Sequence, residues 1–237
     1  MEYFRARVPA SAVICGFLII ALAGCGKEGK NNGGTLTSVS PAKSSVKEPA
    51  KKETPPAIST RPITEERIYY DFEAGFSGWE IPVWAQGKSD YAAKEIGLSE
   101  EFASRGKKSM KISADFPGGK WSAALVEIQQ YLNLGAYRVI LVDLYVPKEA
   151  PTGLKAKLIL TVGSNWKFVE MSRSVPLIPG EWVTVVANIE PGSHDWKRVV
   201  PDEEFARDVR KIAVRIESNQ KPIYEGPIYI DNVRGGK

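Results

Sequence analysis

Six tryptophans, a set of outward-facing acids and amides and a single histidine are the residues of this 237-residue chain that could do chemistry. Trp84, Trp121, Trp166 and Trp196 stand near loops or strand starts, beside polar neighbours such as Gln86, Lys120, Asn165, Lys167, His194 and Asp195. Flat rings next to side chains that make paired hydrogen bonds suit a sugar, whose C–H faces are apolar and whose rim is hydroxyl. Each of these four rings could equally pack under a loop, whereas Trp79 and Trp182 read as core residues. Strand alternation supplies polar partners. With Val126 and Ile128 inward, Glu127 and Gln129 face out; with Val142, Leu144 and Val146 inward, Asp143 and Tyr145 face out; with Val214 and Ile216 inward, Arg215 and Glu217 face out. Gathered on one sheet face these would line a groove. The alternative is a solvated face laced by cross-strand ion pairs, and alternation does not say which strands are neighbours.

Catalysis has no comparable support. His194 comes with no serine-centred nucleophile motif and no metalloprotease helix motif. Glycoside hydrolysis needs two placed carboxylates, and chance pairs among 28 acids mark no site. There is no phosphate-cradling glycine loop and no Cys/His zinc cluster. The chain reads as a non-enzyme.

The elements that must position these residues follow from composition and period. Arg5 and Arg7 precede an apolar run from Val8 to Leu22, about fifteen residues and short of the roughly 20 that span a bilayer. Leu22-Ala23-Gly24-Cys25 supplies a small-residue cleavage context, so residues 1–24 read as a signal peptide. Residues 25–67 carry Asn31-Asn32-Gly33-Gly34, Thr54-Pro55-Pro56 and many Ser and Lys but no apolar period, the composition of a disordered linker. The net charge of +4 resides there: residues 1–67 hold ten basic and six acidic residues, leaving 22 of each for the remainder. A neutral domain gives no reason to expect nucleic acid. The two cysteines, Cys15 and Cys25, fall outside that domain, so it must hold together without disulfides.

From Ile68 the apolar period becomes two. Alternating runs at 109–114, 125–130, 139–146, 158–162, 169–175, 183–187 and 212–217, punctuated by Gly, Pro and Asn, predict about nine to eleven strands. One short helix is expected near 202–209. Residues 68–237 are therefore read as an all-β, two-sheet β-sandwich, a jelly roll.

The ends of this region narrow the reading. Tyr70-Asp71-Phe72-Glu73 followed by Gly78-Trp79, the turn Gly106-Lys107-Lys108-Ser109, Tyr145-Val146-Pro147, Gly180-Glu181-Trp182, and the closing Pro227-Ile228-Tyr229-Ile230-Asp231-Asn232-Val233 appear in order. Together they resemble the galactose-binding-like jelly-roll carbohydrate-binding modules appended to mannanases and glucanases. That resemblance implies glycan binding, and a structural calcium tying the chain ends together. Its side-chain ligands would be Glu73 and Asp231, with Asp71 and the carbonyl of Lys108 as weaker candidates. The alternative is that these acids cap strand ends or pair with Lys107 and Arg234. Cys25 after Leu-Ala-Gly resembles a bacterial lipoprotein signal, which implies a diacylated Cys25 and a membrane anchor. Gly26 in place of the Asp that commonly retains lipoproteins at the inner membrane points to the outer membrane or cell surface. An enzyme usually accompanies such a module in the same chain, and here the sequence stops at Gly235-Gly236-Lys237.

The expectation is a lipid-anchored, non-catalytic glycan-binding protein that holds a β-glucan or β-mannan at the cell surface. Trp84, Trp121 and Trp166 would stack on sugar, and Glu127, Gln129, Asp143, Tyr145, Arg215 and Glu217 would meet its hydroxyls. The alternatives are an envelope module of the same fold that binds a protein partner and no sugar, and a jelly-roll lyase or hydrolase.

Overall fold

The structure is a computed structural model and describes residues 61–218 and 222–237. The expected signal peptide, Cys25 and the linker up to residue 60 lie outside the described residues. Among those described, eleven strands and one short helix form a two-sheet β-sandwich.

One sheet contains β1 (Glu66–Tyr70), β2 (Ala93–Ser99), β3 (Ser109–Pro117), β5 (Val139–Tyr145), β9 (Trp182–Asn188) and β11 (Ile223–Gly236), in the order β2-β3-β11-β5-β9. The long β11 pairs with β3 over its first half and with β1 over its second, so the two ends of the domain lie side by side. The second sheet contains β4 (Ser122–Leu132), β6 (Leu154–Val162), β7 (Lys167–Glu170), β8 (Val175–Pro176) and β10 (Val209–Ser218), in the order β4-β10-β6-β7, with β8 also against β6. The helix α1 is one turn, Glu204–Arg207. The single strand expected over 169–175 is split in two, β7 and β8, interrupted after Glu170. The folded region also starts earlier than Ile68: the Thr64 amide donates to the Lys237 carbonyl and Glu66 faces Gly236.

Alternation explains the core. Ala124, Val126, Ile128, Leu158, Leu160, Val214 and Ile216 face inward from the second sheet, against Met110, Ile112, Phe116, Val142, Leu144, Ile228 and Ile230 of the first. Each fully buried aliphatic side chain contributes about 1.5–3 kcal/mol, which stands in for the absent disulfides. Trp79 joins this core with its ring edge-on to Tyr70 and Phe72. Trp182 does not. It sits half-buried on the outside of the first sheet, in one cross-strand row with Tyr145 and Tyr229.

Candidate functional site

The outer face of the second sheet carries the site. Odd-numbered residues of β4 and β6, and of β10 from Lys211 onward, point outward, and pairing register places them in rows across the strands. Glu127 faces Ala213, which faces Ile159, which faces Glu170; the next row is Gln129, Lys211, Thr161 and Phe168. Four strands at about 4.8 Å spacing give a floor about 14 Å across. The segment between residues 79 and 92 walls one side. It is stitched along the free edge of β4 by reciprocal amide bonds between Glu80 and Glu127 and by Ala92 donating to the Ala123 carbonyl. This positions Trp84 and Tyr91 over the floor, their rings 5.1 Å apart and nearly perpendicular. On the other side, Met171 bridges to Trp196, and the Lys197 amide donates to the Glu170 carbonyl.

The result is a cleft of about 310 Å³ lined by Trp84, Tyr91, Leu125, Glu127, Ile159, Thr161, Phe168, Lys211, Ala213 and Arg215. Trp84 is 48% exposed at one end and Phe168 is 57% exposed at the other. Between them lies a charge-paired floor. Lys211 Nζ is 2.5 Å from Glu127 Oε1, and Arg215 Nη2 is 2.7 Å from Glu170 Oε2. Glu170 also takes Lys197, while Glu217 takes Arg215, Lys157 and the Ser174 hydroxyl. Burial alone would raise the Glu170 pKa. The Lys197 hydrogen bond and the charges of Arg215 and Lys157 outweigh it and hold the carboxyl below its ordinary range. Such a floor presents fixed donors and acceptors with little uncompensated charge.

Among the expected sugar contacts, the structure brings Trp84, Glu127 and Arg215 into the cleft. Trp121 stands behind it, its ring 6.4 Å from Tyr91 and 5.8 Å from the Arg215 guanidinium carbon. Gln129 and Glu217 belong to the same face but outside the lining, and Trp166 lies in the β6–β7 turn beneath Arg210. Asp143 and Tyr145 are corrections: both are on β5 in the opposite sheet, and both are buried. Tyr145 stacks against Phe102 at 4.4 Å. Of the four candidate rings, Trp196 takes the loop-packing alternative, buried with its indole N–H donating to the Asn188 carbonyl. Alternation fixes which side of a strand a residue faces and is silent about which sheet the strand joins. Sequence reading passed over Tyr91, Phe168 and Lys211. Two of them were within reach: stepping back from Arg215 through Ala213 arrives at Lys211, and Val169 facing inward turns Phe168 out.

The first sheet holds the chain ends together. Asp231 is fully buried, and its Oδ2 accepts the amides of Ser104 and Arg105 at 2.8 and 3.2 Å. Asp143, directly opposite it across the strands, accepts the hydroxyls of Ser104 and Thr184 and pairs with Arg234 at 2.9 Å. Burial pushes the Asp231 carboxyl up to about 6, the Asp143 charge adding to it and the three backbone donors opposing it. At the far end of the same turn, Glu73 Oε1 accepts the amides of Lys107 and Lys108 at 2.7 and 2.8 Å. Gly106 takes φ +72° there, and a Cβ at that position would collide with the Glu73 carboxylate. Asp71 is exposed and accepts the Glu73 amide. The first-strand exit, the 104–108 turn and the last strand thus converge. Among the described residues, no three His, Cys, Asp or Glu side chains surround one point, so calcium here would lean on backbone carbonyls as well as on Glu73 and Asp231.

Comparison with known proteins places this sandwich. No curated protein matches the chain. Among solved structures, a CBM27-1 module of Caldicellulosiruptor saccharolyticus, crystallised with mannohexaose, superposes with a TM-score of 0.50 at 20% identity, over 72% of this chain and 96% of that one. A module specific for non-crystalline cellulose, CBM28, superposes at 0.52 and 18% identity, over 73% of this chain and 95% of its own. Both likenesses are of fold. The sequence itself matches the family description "Carbohydrate binding module 27" over residues 79–237, more than half of the chain. By that match the chain belongs to the carbohydrate binding module 27 family.

Proposed function

We propose that this protein binds a neutral β-mannan in the cleft between Trp84 and Phe168 and performs no chemistry on it. The observation that carries this reading is the cleft: exposed rings at both ends, and a floor on which Lys211 and Arg215 are each held by a carboxylate. Stacking on Trp84 and Phe168 would supply most of the affinity, and Glu127, Lys211, Arg215 and Thr161 would read hydroxyls. A polyanionic chain would have to compete with Glu127 and Glu170 for those cations, which favours a neutral one. Mannan is favoured over β-glucan by the family, one of whose members was crystallised with mannohexaose. Calorimetric titration with mannohexaose, cellohexaose and xylohexaose tests this. Binding is expected for mannohexaose first, and a folded protein that binds none of the three would end the glycan reading in favour of a protein partner in the envelope.

The anchor is part of the same proposal. Diacylation of Cys25 would hold the domain at the outer membrane or cell surface on the segment that precedes it, since two acyl chains anchor stably where one does not. Cys25→Ser is expected to move the protein from the membrane fraction to the soluble one; retention in the membrane fraction would count against lipidation.

We also propose a structural calcium at the 104–108 turn, held by Glu73, Asp231 and the Lys108 carbonyl. It would reinforce a clamp that already stands on carboxylate–amide hydrogen bonds. Chelation is then expected to lower Tm by several degrees, and calcium to restore it. A Tm identical in calcium and in chelator would remove the ion from the account.

A further inference from the structure

Strand β9 forms a sheet edge without the usual protection. Among the described residues it pairs on one side only, with β5. Sheet edges are ordinarily blunted by charge, by proline or by a covering segment. β2 carries Lys94 and Glu95, β7 carries Lys167 and Glu170, β8 ends in Pro176, and the segment between residues 79 and 92 covers β4. β9, Trp182-Val183-Thr184-Val185-Val186-Ala187-Asn188, has no charge, no proline and no glycine. Its backbone phase follows from the residue after it. The Ile189 amide donates to the Arg138 carbonyl, so odd-numbered residues bond to β5 and even-numbered ones turn their N–H and C=O to the open side. At Asn188 both groups are capped: Asp195 Oδ2 accepts its amide at 2.8 Å, and the Trp196 indole donates to its carbonyl at 2.7 Å. Trp182, Thr184 and Val186 have no such caps among the described residues.

The sequence of this edge complements itself. An antiparallel pair of β9 strands with Thr184 opposite the partner's Thr184 sets Trp182 against the partner's Val186, an aromatic and β-branched pair, and Val183 against the partner's Val185. The uncapped residues then meet as three hydrogen-bonded pairs, about six N–H···O bonds. A slip of two residues would instead put one of them against Gly180 or against the capped Asn188. Charge agrees with the same register. Exposed Glu181 stands opposite the partner's Ala187, next to Val186, and exposed Arg173 lines a cavity of about 130 Å³ together with Val186. Neither Glu181 nor Arg173 has an ion-pair partner of its own among the described residues. Each copy thus offers the other one free acid and one free cation.

We propose that β9 pairs antiparallel with β9 of a second copy of this chain, with the two-fold axis at Thr184, joining the two first sheets into one. The dyad of an antiparallel strand pair stands perpendicular to the sheet, and the interface is isologous. Both second sheets therefore lie on the same side, and both clefts open the same way. β6 contacts β9, whereas β4 contacts β2 and β3, so the Phe168 ends of the two clefts lie innermost. The clefts then run in opposite senses. A glycan chain has a reducing and a non-reducing end, so one straight chain does not fit both, and the pair takes two chains. That consequence rests on the glycan reading of the cleft; the strand pairing does not.

Disulfide crosslinking of the full chain in intact cells tests the pairing, since residues 61–237 contain no cysteine. Across a hydrogen-bonded pair the Cα atoms are about 5.5 Å apart, within disulfide reach. Under oxidation Thr184→Cys is expected to give a reductant-sensitive dimer, at least about tenfold above the unsubstituted chain and above Lys94→Cys on the β2 edge. Thr184 also donates to Asp143, so a second arrangement leaves it in place. Trp182→Cys and Val186→Cys chains made together should link to each other. Trp182→Cys alone, about 15 Å from its copy across the dyad, should not. Adding Thr184→Lys to both chains sets like charges face to face and should abolish the mixed link. Yields no higher than that of Lys94→Cys in both arrangements, from variants that unfold cooperatively on heating, would overturn the pairing. So would a Thr184→Cys dimer without the mixed link, or a mixed link that survives Thr184→Lys.

Discussion

Replacing Trp84 by alanine is expected to weaken mannohexaose binding by at least about 30-fold, the loss of roughly 2 kcal/mol that marks an anchoring aromatic residue. The size follows from where the ring stands. Trp84 is not part of the sandwich core, so its removal leaves the two sheets packed. It is held in place by a perpendicular contact with Tyr91 and by Lys88, whose ammonium is 5.3 Å from its ring centroid. It thus reaches the ligand already ordered and loses little rotamer freedom on binding. Trp121→Ala is the informative comparison. That ring faces Arg215 and Tyr91 and does not line the cleft, so it acts by positioning them, and its loss should cost about threefold to tenfold. Calorimetry on both variants, with Tm measured alongside, checks the ranking. An unchanged affinity in Trp84→Ala with the fold intact would move the binding site away from this cleft.

Asp231→Ala is expected to have the opposite profile: a large loss of stability with little change in glycan affinity. Asp231 holds the Ser104 and Arg105 amides, and through Ser104 it is coupled to Asp143 and Arg234. Hydrogen bonds to a charged group contribute about 1.5–3 kcal/mol each. Keeping the buried carboxylate charged beside Asp143 offsets part of that gain, so a net loss of about 2–3 kcal/mol is expected. For a domain of this size the loss lowers Tm by about 5–10 °C. Asp231→Asn keeps one acceptor oxygen and sheds the charge, and it should fall between wild type and alanine. The cleft is on the other sheet, so mannohexaose should still bind Asp231→Ala below its Tm. A thermal scan in chelator, which removes any contribution of bound calcium, decides the matter. A Tm within a degree of wild type would show that the strap over residues 104–108 is held by something else.

These two residues differ in how much of their role the sequence carried. Asp231 belongs to Ile230-Asp231-Asn232-Val233, and its place in the last strand, beside the first, could be read from alternation and from the family phrases at the two ends. The strands themselves, the short helix and the outward direction of Glu127, Gln129, Arg215 and Glu217 were legible in the same way. A strand with one face in the core must alternate, and a slip of one residue would bury its polar side. Trp84 was legible only as a candidate, together with Trp121, Trp166 and Trp196, because an indole beside polar residues looks the same whether a loop covers it or not. Trp196 turned out to be covered, its N–H taken by Asn188.

What the sequence by itself determined was local: the β period, the facing of each side chain, and a neutral domain without disulfides; the pairing of the chain ends came through the family resemblance. What only the tertiary structure decided was membership, namely which strands share a sheet and which loops lie over it. Asp143 and Arg215 have the same outward alternation, yet one is locked under a strap on the first sheet and the other lies in the cleft of the second. The reason is that strand order in this sandwich depends on pairings between residues far apart in the chain, Asp143 with Thr184 and Glu127 with Ala213 among them. No local periodicity encodes a partner at that distance.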